Sequence, residues 1–78
     1  MPIYVYAIKS LVRNYIYVGM SDNVDRRLKQ HNRGENKSTK PYKPFVLILT
    51  EIFPSRIEAR KREKFLKAGS GKKYLKSL

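Results

Sequence analysis

The chain has 78 residues, is 41% apolar and contains no cysteine, so it suits one small core and excludes disulfides and thiolate metal sites. Eighteen Lys and Arg stand against 6 Asp and Glu, a net charge of +12, and such a field in so small a body favours polyanionic partners, nucleic acid foremost. No apolar run reaches the length of a membrane span and no signal-peptide layout opens the sequence, which predicts one domain over residues 1–78, cytoplasmic and away from membranes.

Ile3 to Ile8 alternates Tyr4, Tyr6 and Ile8 with Ile3, Val5 and Ala7, and both sets are β-prone. Residues 15–20 alternate again, Tyr15, Tyr17 and Gly19 against Ile16, Val18 and Met20, after the polar-leaning connection Ser10–Asn14. Two strands folded back on each other follow. Pairing Tyr6 with Tyr17 sets Tyr4 opposite Gly19 and leaves an open notch at the glycine.

Ser21-Asp22-Asn23 signals a helix start, with Asp22 or Asn23 as N-cap and Gly34 as the stop. On that helix Val24, Leu28 and His31 share a stripe; Arg27 borders it and Arg26 points away. Arg27 is therefore the arginine expected in a fixed place. Residues 34–44 read as an exposed basic loop carrying Lys37, Lys40 and Lys43.

Phe45 to Phe53 is apolar on both faces, which predicts a strand covered on both sides. Ser55 and Glu58 form a capping-box pattern opening a second helix, which runs to about Ala68 with Gly69 as its cap. Ile57, Phe65 and Ala68 make one apolar patch on it, Ala59 and Leu66 another, and Glu63 edges the second. Residues 70–78 suggest a short basic turn or helix docking through Tyr74, Leu75 and Leu78. The fold class expected is α+β: a small domain with a three-stranded antiparallel sheet flanked by helices, in the order β-β-α-β-α-α. The charge lies mostly late, with residues 1–32 at +3 and 33–78 at +9.

One histidine and no cysteine exclude the usual zinc ligand sets, and no phosphate-cradling glycine loop occurs. The 6 carboxylates are too few and too dispersed for a two-metal nuclease, so any metal site holds a single ion. Tyrosines, Arg27, His31 and Glu63 remain. Phosphodiester hydrolysis needs a base, a cation against phosphorane charge and an anchor for a divalent ion, and this set offers one of each. Plainer readings stand beside it. Strand tyrosines pack, an arginine positions phosphate, an inward histidine is structural, and Glu63 among basic neighbours forms helix ion pairs.

With these landmarks the chain resembles the GIY-YIG nuclease superfamily, and most its small stand-alone members, which are similar to the N-terminal nuclease domain of the bacterial excinuclease. Tyr4-Val5-Tyr6 stands in place of the first motif and Tyr17-Val18-Gly19 is the second. The helix from Asp22 to Asn32 with Arg27 and His31, then Ser38-Thr39, Pro44-Phe45 and Glu58 to Lys67, follow in order.

The resemblance implies a divalent-metal-dependent DNA endonuclease, structure-selective or in DNA repair, with one Mg²⁺ or Mn²⁺ on Glu63. It implies Tyr17 as general base or water-orienting group, with Tyr6 in support. Arg27 is expected on the phosphorane charge, His31 in proton handling or phosphate contact, and Gly19 at a close approach. Lys37, Lys40, Lys43, Arg60, Lys64, Lys67, Lys72 and Lys73 are expected on the nucleic acid, with branched or nicked DNA as substrate and a protein partner supplying targeting. Tyr4 replaces the name-giving glycine, Met20 stands where excinuclease-type domains carry a lysine, and no asparagine follows Glu63. The alternative is a non-catalytic nucleic-acid-binding module on the same fold.

Overall fold

The computed structural model describes residues 2–78. Strands β1 (Ile3–Ser10), β2 (Ile16–Ser21) and β3 (Phe45–Phe53) form one antiparallel sheet in the order β2-β1-β3. Helix α1 (Val24–Arg33) covers one face, packing Val24 and Leu28 against Tyr6, Ile8 and Phe45. Helices α2 (Arg56–Lys67) and α3 (Gly69–Lys76) cover the other through Ala59, Leu66 and Leu75, which meet Val5, Ala7 and Val18. The expected α+β class and element order are those observed.

The hairpin register differs by two residues from the expected one: Tyr6 lies opposite Gly19, and Tyr17 opposite Ile8. The expected register needs Leu11-Val12 as a two-residue turn, and such turns require positive φ. Among the described residues no side-chain-bearing residue has positive φ. The chain takes a longer connection, Leu11–Asn14, closed by the Ser10 N–H donating to the Tyr15 carbonyl at 2.9 Å. Ser10 Oγ holds the turn, accepting from the N–H groups of Val12 (3.2 Å) and Arg13 (3.0 Å). A two-residue shift leaves every side chain on its expected face. It also fills the notch, because the Tyr6 ring now lies over Gly19.

The strand covered on both sides is β1, not β3. Val5, Tyr6, Ala7 and Ile8 are fully buried, whereas β3 is a sheet edge with Val46, Leu47 and Ile52 exposed. A bulge explains the misleading pattern: Ala7 pairs with Leu49 and Ile8 with Leu47, so Ile48 is an extra residue. It reverses the alternation midway, and both Ile48 and Leu49 pack toward α2 and α3.

Asn23 caps α1, its Oδ1 accepting from the Arg26 N–H at 3.0 Å, while Asp22 pairs with the Arg26 guanidinium at 2.8 Å. Gly34 ends α1 in the left-handed conformation (φ 78°) that its lack of Cβ permits. Asn32 ties this end to β3, donating to the Phe45 carbonyl (3.2 Å) and accepting from its N–H (2.6 Å). The capping box is not formed: Ser55 is the N-cap of α2 without a side-chain hydrogen bond. Gly69 is no cap either. Extended Ala68 breaks the helix, and Gly69 begins α3. Of the three residues expected to dock the tail, only Leu75 is buried, with Tyr74 and Leu78 exposed. Gly71 lets α3 cross the end of α2, since a Cβ there would overlap the Phe65 carbonyl and Leu66 Cα. A bidentate pair from Arg62 to Glu51 (2.7 and 3.1 Å) fastens α2 to β3.

Candidate active site

Tyr6, Tyr17 and His31 come together on the α1 face of the sheet. The Tyr17 and His31 ring centroids are 4.8 Å apart, and those of Tyr6 and Tyr17 6.2 Å. Alternation along β1 and β2 aims both tyrosines at α1, and His31 lies two helical turns after Val24 on the same stripe. Gly19 makes the approach feasible, because its missing Cβ would stand 2.9 Å from both the Tyr6 hydroxyl and the Tyr17 ring.

Tyr6 and His31 have no exposed surface. Their polar atoms form a chain. Thr39 Oγ1 donates to the Asn36 carbonyl at 3.4 Å and so accepts from His31 Nδ1–H at 2.8 Å. This assigns the Nδ1–H tautomer from the network, and His31 Nε2 then accepts the Tyr6 hydroxyl proton at 3.1 Å. Burial, and then the nearby Arg27 charge, push the His31 pKa below its ordinary value, so the imidazole is neutral at neutral pH as this chain requires. Burial likewise raises the Tyr6 pKa and outweighs the hydrogen-bonding Arg27, so Tyr6 is a neutral hydroxyl.

Arg27 sits at the rim, half-buried on the edge of the α1 stripe. The Tyr6 hydroxyl beside it, and then the Tyr17 hydroxyl, favour its charged form. Gln30 accepts from its Nη1 at 2.6 Å, steadying the side chain. The guanidinium thus lies near one buried hydroxyl and one half-exposed hydroxyl. A cleft of about 430 Å³ lined by Arg27, Gln30, Asn36 and Lys37 opens beside it. Arg26, as expected, points elsewhere, into its pair with Asp22.

Glu63 stands on α2, which packs on the other face of the sheet. It lies on α2 between buried Ala59 and Leu66, with its side chain only 14% exposed. Its charge is felt at Tyr6. Lys67 Nζ stands 3.4 Å from its carboxylate and Arg60 Nε 3.9 Å. Among the described residues no three His, Asp or Glu side chains cluster as metal ligands. The donor set is therefore one carboxylate. A single carboxylate can serve a divalent ion only when water and substrate oxygens fill the other positions.

The basic side chains expected on nucleic acid are scattered. Lys37 rims the cleft by Arg27. Lys40 and Lys43 lie over Gly34 at the end of α1. Arg60 and Lys67 flank Glu63, and Lys64 and Lys73 are exposed. Lys67 and Lys72 line a second groove, against β2. Sequence reasoning missed Thr39 as the partner of His31, Asn36 as the partner of Thr39 and Gln30 as the partner of Arg27. A threonine in a basic loop carries no spacing signal toward a histidine eight residues earlier on a helix. Among the described residues no helix is long and apolar enough to cross a membrane.

Comparison with known proteins bears on the family and the fold. The profile of the GIY-YIG catalytic domain matches residues 2–75. A UPF0213 protein of Staphylococcus haemolyticus is 40% identical over 76 residues, 96% of this chain and 92% of that protein. One from Staphylococcus saprophyticus is 35% identical over 94% of this chain and 89% of its own length. The solution NMR structure of a UPF0213 protein from Bacillus halodurans superposes with a TM-score of 0.59 at 36% identity, covering 99% of this chain and 84% of that one. Matched by the family profile along residues 2–75 and by relatives covered almost end to end, the chain belongs to the GIY-YIG family of nuclease-type catalytic domains.

Proposed function

We propose that the protein is a divalent-metal-dependent endonuclease hydrolysing phosphodiester bonds in DNA. The observation that carries this is the grouping of Tyr6, Tyr17 and His31 on one face of the sheet with the Arg27 guanidinium beside the two hydroxyls. Tyr17, half-exposed, orients the attacking water through its phenolic oxygen. Tyr6, its own proton committed to neutral His31, keeps its oxygen turned to Arg27. Arg27 meets the charge that develops on the phosphorane oxygens. His31 acts behind Tyr6 in proton placement; with no exposed surface it does not touch phosphate. Glu63 is the residue that would hold one Mg²⁺ or Mn²⁺, and the chemistry such an ion supplies is charge neutralisation at the phosphoryl group. The late lysines and Lys37 carry the DNA backbone. Branched or nicked DNA, met in repair with a protein partner choosing the target, suits a domain this small.

A second reading has its own observation. The Glu63 carboxylate is already engaged by Lys67 and Arg60, and no asparagine follows it, which favours a module that binds nucleic acid without cutting. Nicked, branched and single-stranded DNA incubated with Mg²⁺ or Mn²⁺ separates the two. Cutting abolished by Glu63→Gln and by Tyr17→Phe supports the nuclease. Arg27→Ala is expected to lose about two orders of magnitude, as for an oxyanion donor, and Arg26→Ala very little. Binding that persists in EDTA, with no substrate cut, selects the second reading.

A further inference from the structure

A groove of about 490 Å³ runs between β2 and the corner of α2 and α3. Its floor is half-buried Ile16 with Val18 and Leu75 almost fully buried beneath it, and its rim holds Lys67, Lys72 and Lys76 with no acidic residue among those lining it. Tyr17 is also among its lining residues, so the groove borders the strand that carries part of the candidate site. β2 is a sheet edge. Counting from the Ser10-to-Tyr15 bond, antiparallel alternation directs the backbone groups of Ile16 and Val18 away from β1, toward the groove. The place therefore combines three cations, an apolar floor and unpaired backbone donors and acceptors.

We propose that this groove binds single-stranded nucleic acid flanking the scissile phosphate. Phosphates lie on Lys67, Lys72 and Lys76, and an unstacked base lies on the Ile16–Val18–Leu75 floor. A duplex keeps its bases stacked and offers only phosphates, which leaves that floor uncovered; a single strand can splay a base onto it. An acidic peptide adding a strand to β2 would use the same edge, but the apolar floor below three cations favours a ligand with alternating anionic and aromatic parts. The inference rests on the nucleic-acid half of the proposed function and not on cleavage. It would make the enzyme one that needs an unpaired stretch beside its cut.

The test is a titration of ¹⁵N-labelled protein with octadeoxythymidylate in EDTA. The largest amide shifts are expected at Ile16, Val18 and Leu75. Replacing Lys72 and Lys76 together by Ala is expected to weaken binding about tenfold and to flatten the log–log salt slope by about 1.4, at ~0.7 per phosphate. Lys29→Ala with Lys61→Ala, exposed and outside the groove, removes the same charge and should weaken binding less than threefold. Equal losses in the two pairs, or shifts that bypass β2 and α3, overturn the proposal. So does an acidic peptide occupying the groove when the oligonucleotide does not. Groove binding without any cleavage refutes the nuclease reading alone, and cleavage without groove binding refutes the groove alone.

Discussion

Gly19→Ala is the substitution that tests the packing beneath the site most directly. The new Cβ would stand 2.9 Å from the Tyr6 hydroxyl and the Tyr17 ring and 3.0 Å from Tyr6 Cζ, where ordinary contacts begin at 3.4 Å. The rings must retreat by about half an ångström, and such overpacking costs about 1–3 kcal/mol. Tyr6 bonds to His31 at 3.1 Å, so the same retreat carries that pair out of hydrogen-bonding range. Two buried groups left unsatisfied add about 1–3 kcal/mol, while the gain of Ala over Gly in a strand returns about 0.5–1 kcal/mol. The net expectation is a loss of about 3 kcal/mol. Urea unfolding of the wild type, Gly19→Ala, Tyr6→Phe and the double variant measures it. Tyr6→Phe removes the hydroxyl contact, so Gly19→Ala should cost at least about 1 kcal/mol less in that background. A cost under about 0.5 kcal/mol, or an identical cost in both backgrounds, would refute the reasoning.

Thr39→Val removes the acceptor of His31 Nδ1–H while conserving shape. It should cost about 1–3 kcal/mol in urea unfolding, with Thr39→Ser much closer to wild type, and equal behaviour of the two would contradict the network. The folded pKa of His31 lies below the unfolded value of about 6.5, so the unfolded chain binds more protons as pH falls. Stability from this group is complete above about pH 7 and drains below it by up to about 1.4 kcal/mol per pH unit until the folded pKa is passed. Melting of wild type against His31→Gln between pH 7.5 and 5.5 should show the steeper fall in the wild type, and parallel curves would deny it. Gly71→Ala puts a methyl into the backbone of Phe65 and Leu66, which cannot give way, so α3 must undock and uncover Leu75. A loss of about 3 kcal/mol with reduced helical circular dichroism is expected, and a native spectrum with native stability would show that α3 docks otherwise.

What could be read from sequence divides along physical lines. Local alternation and cap chemistry showed β1, β2 and α1, because each signal there lies within a few residues of its effect. Motif order brought Tyr6, Tyr17, Arg27 and Glu63 forward together. The hairpin register escapes such reading because it depends on turn closure by Ser10, whose hydroxyl gives no periodic signature. The extra Ile48 makes β3, an edge strand, read as apolar on both faces and so as a strand of the sheet interior. Thr39 and Asn32 act across the chain, on His31 and on Phe45, and nothing near them in sequence announces a distant partner. The side-chain cap expected at Ser55 fails for the converse reason: the local pattern is present, but the hydroxyl makes no bond to the helix.

The central position of β1 constrains how this protein can come into being. Its two neighbours arise at very different distances along the chain: β2 follows after a short turn, but β3 only after residues 11–44. Until β3 arrives, one whole hydrogen-bonding edge of the strand bearing Tyr6 is open, and closing that long loop is slow compared with forming the hairpin. A ribosome-bound fragment ending before Phe45 would hold Tyr6 on a strand paired along one edge only, with Tyr17, Arg27 and His31 present but lacking both Phe45 beneath the rings and Glu63 across the sheet. Cutting power, if the proposed chemistry holds, therefore cannot appear gradually during synthesis; it switches on only when the last strand and helix have closed over the first.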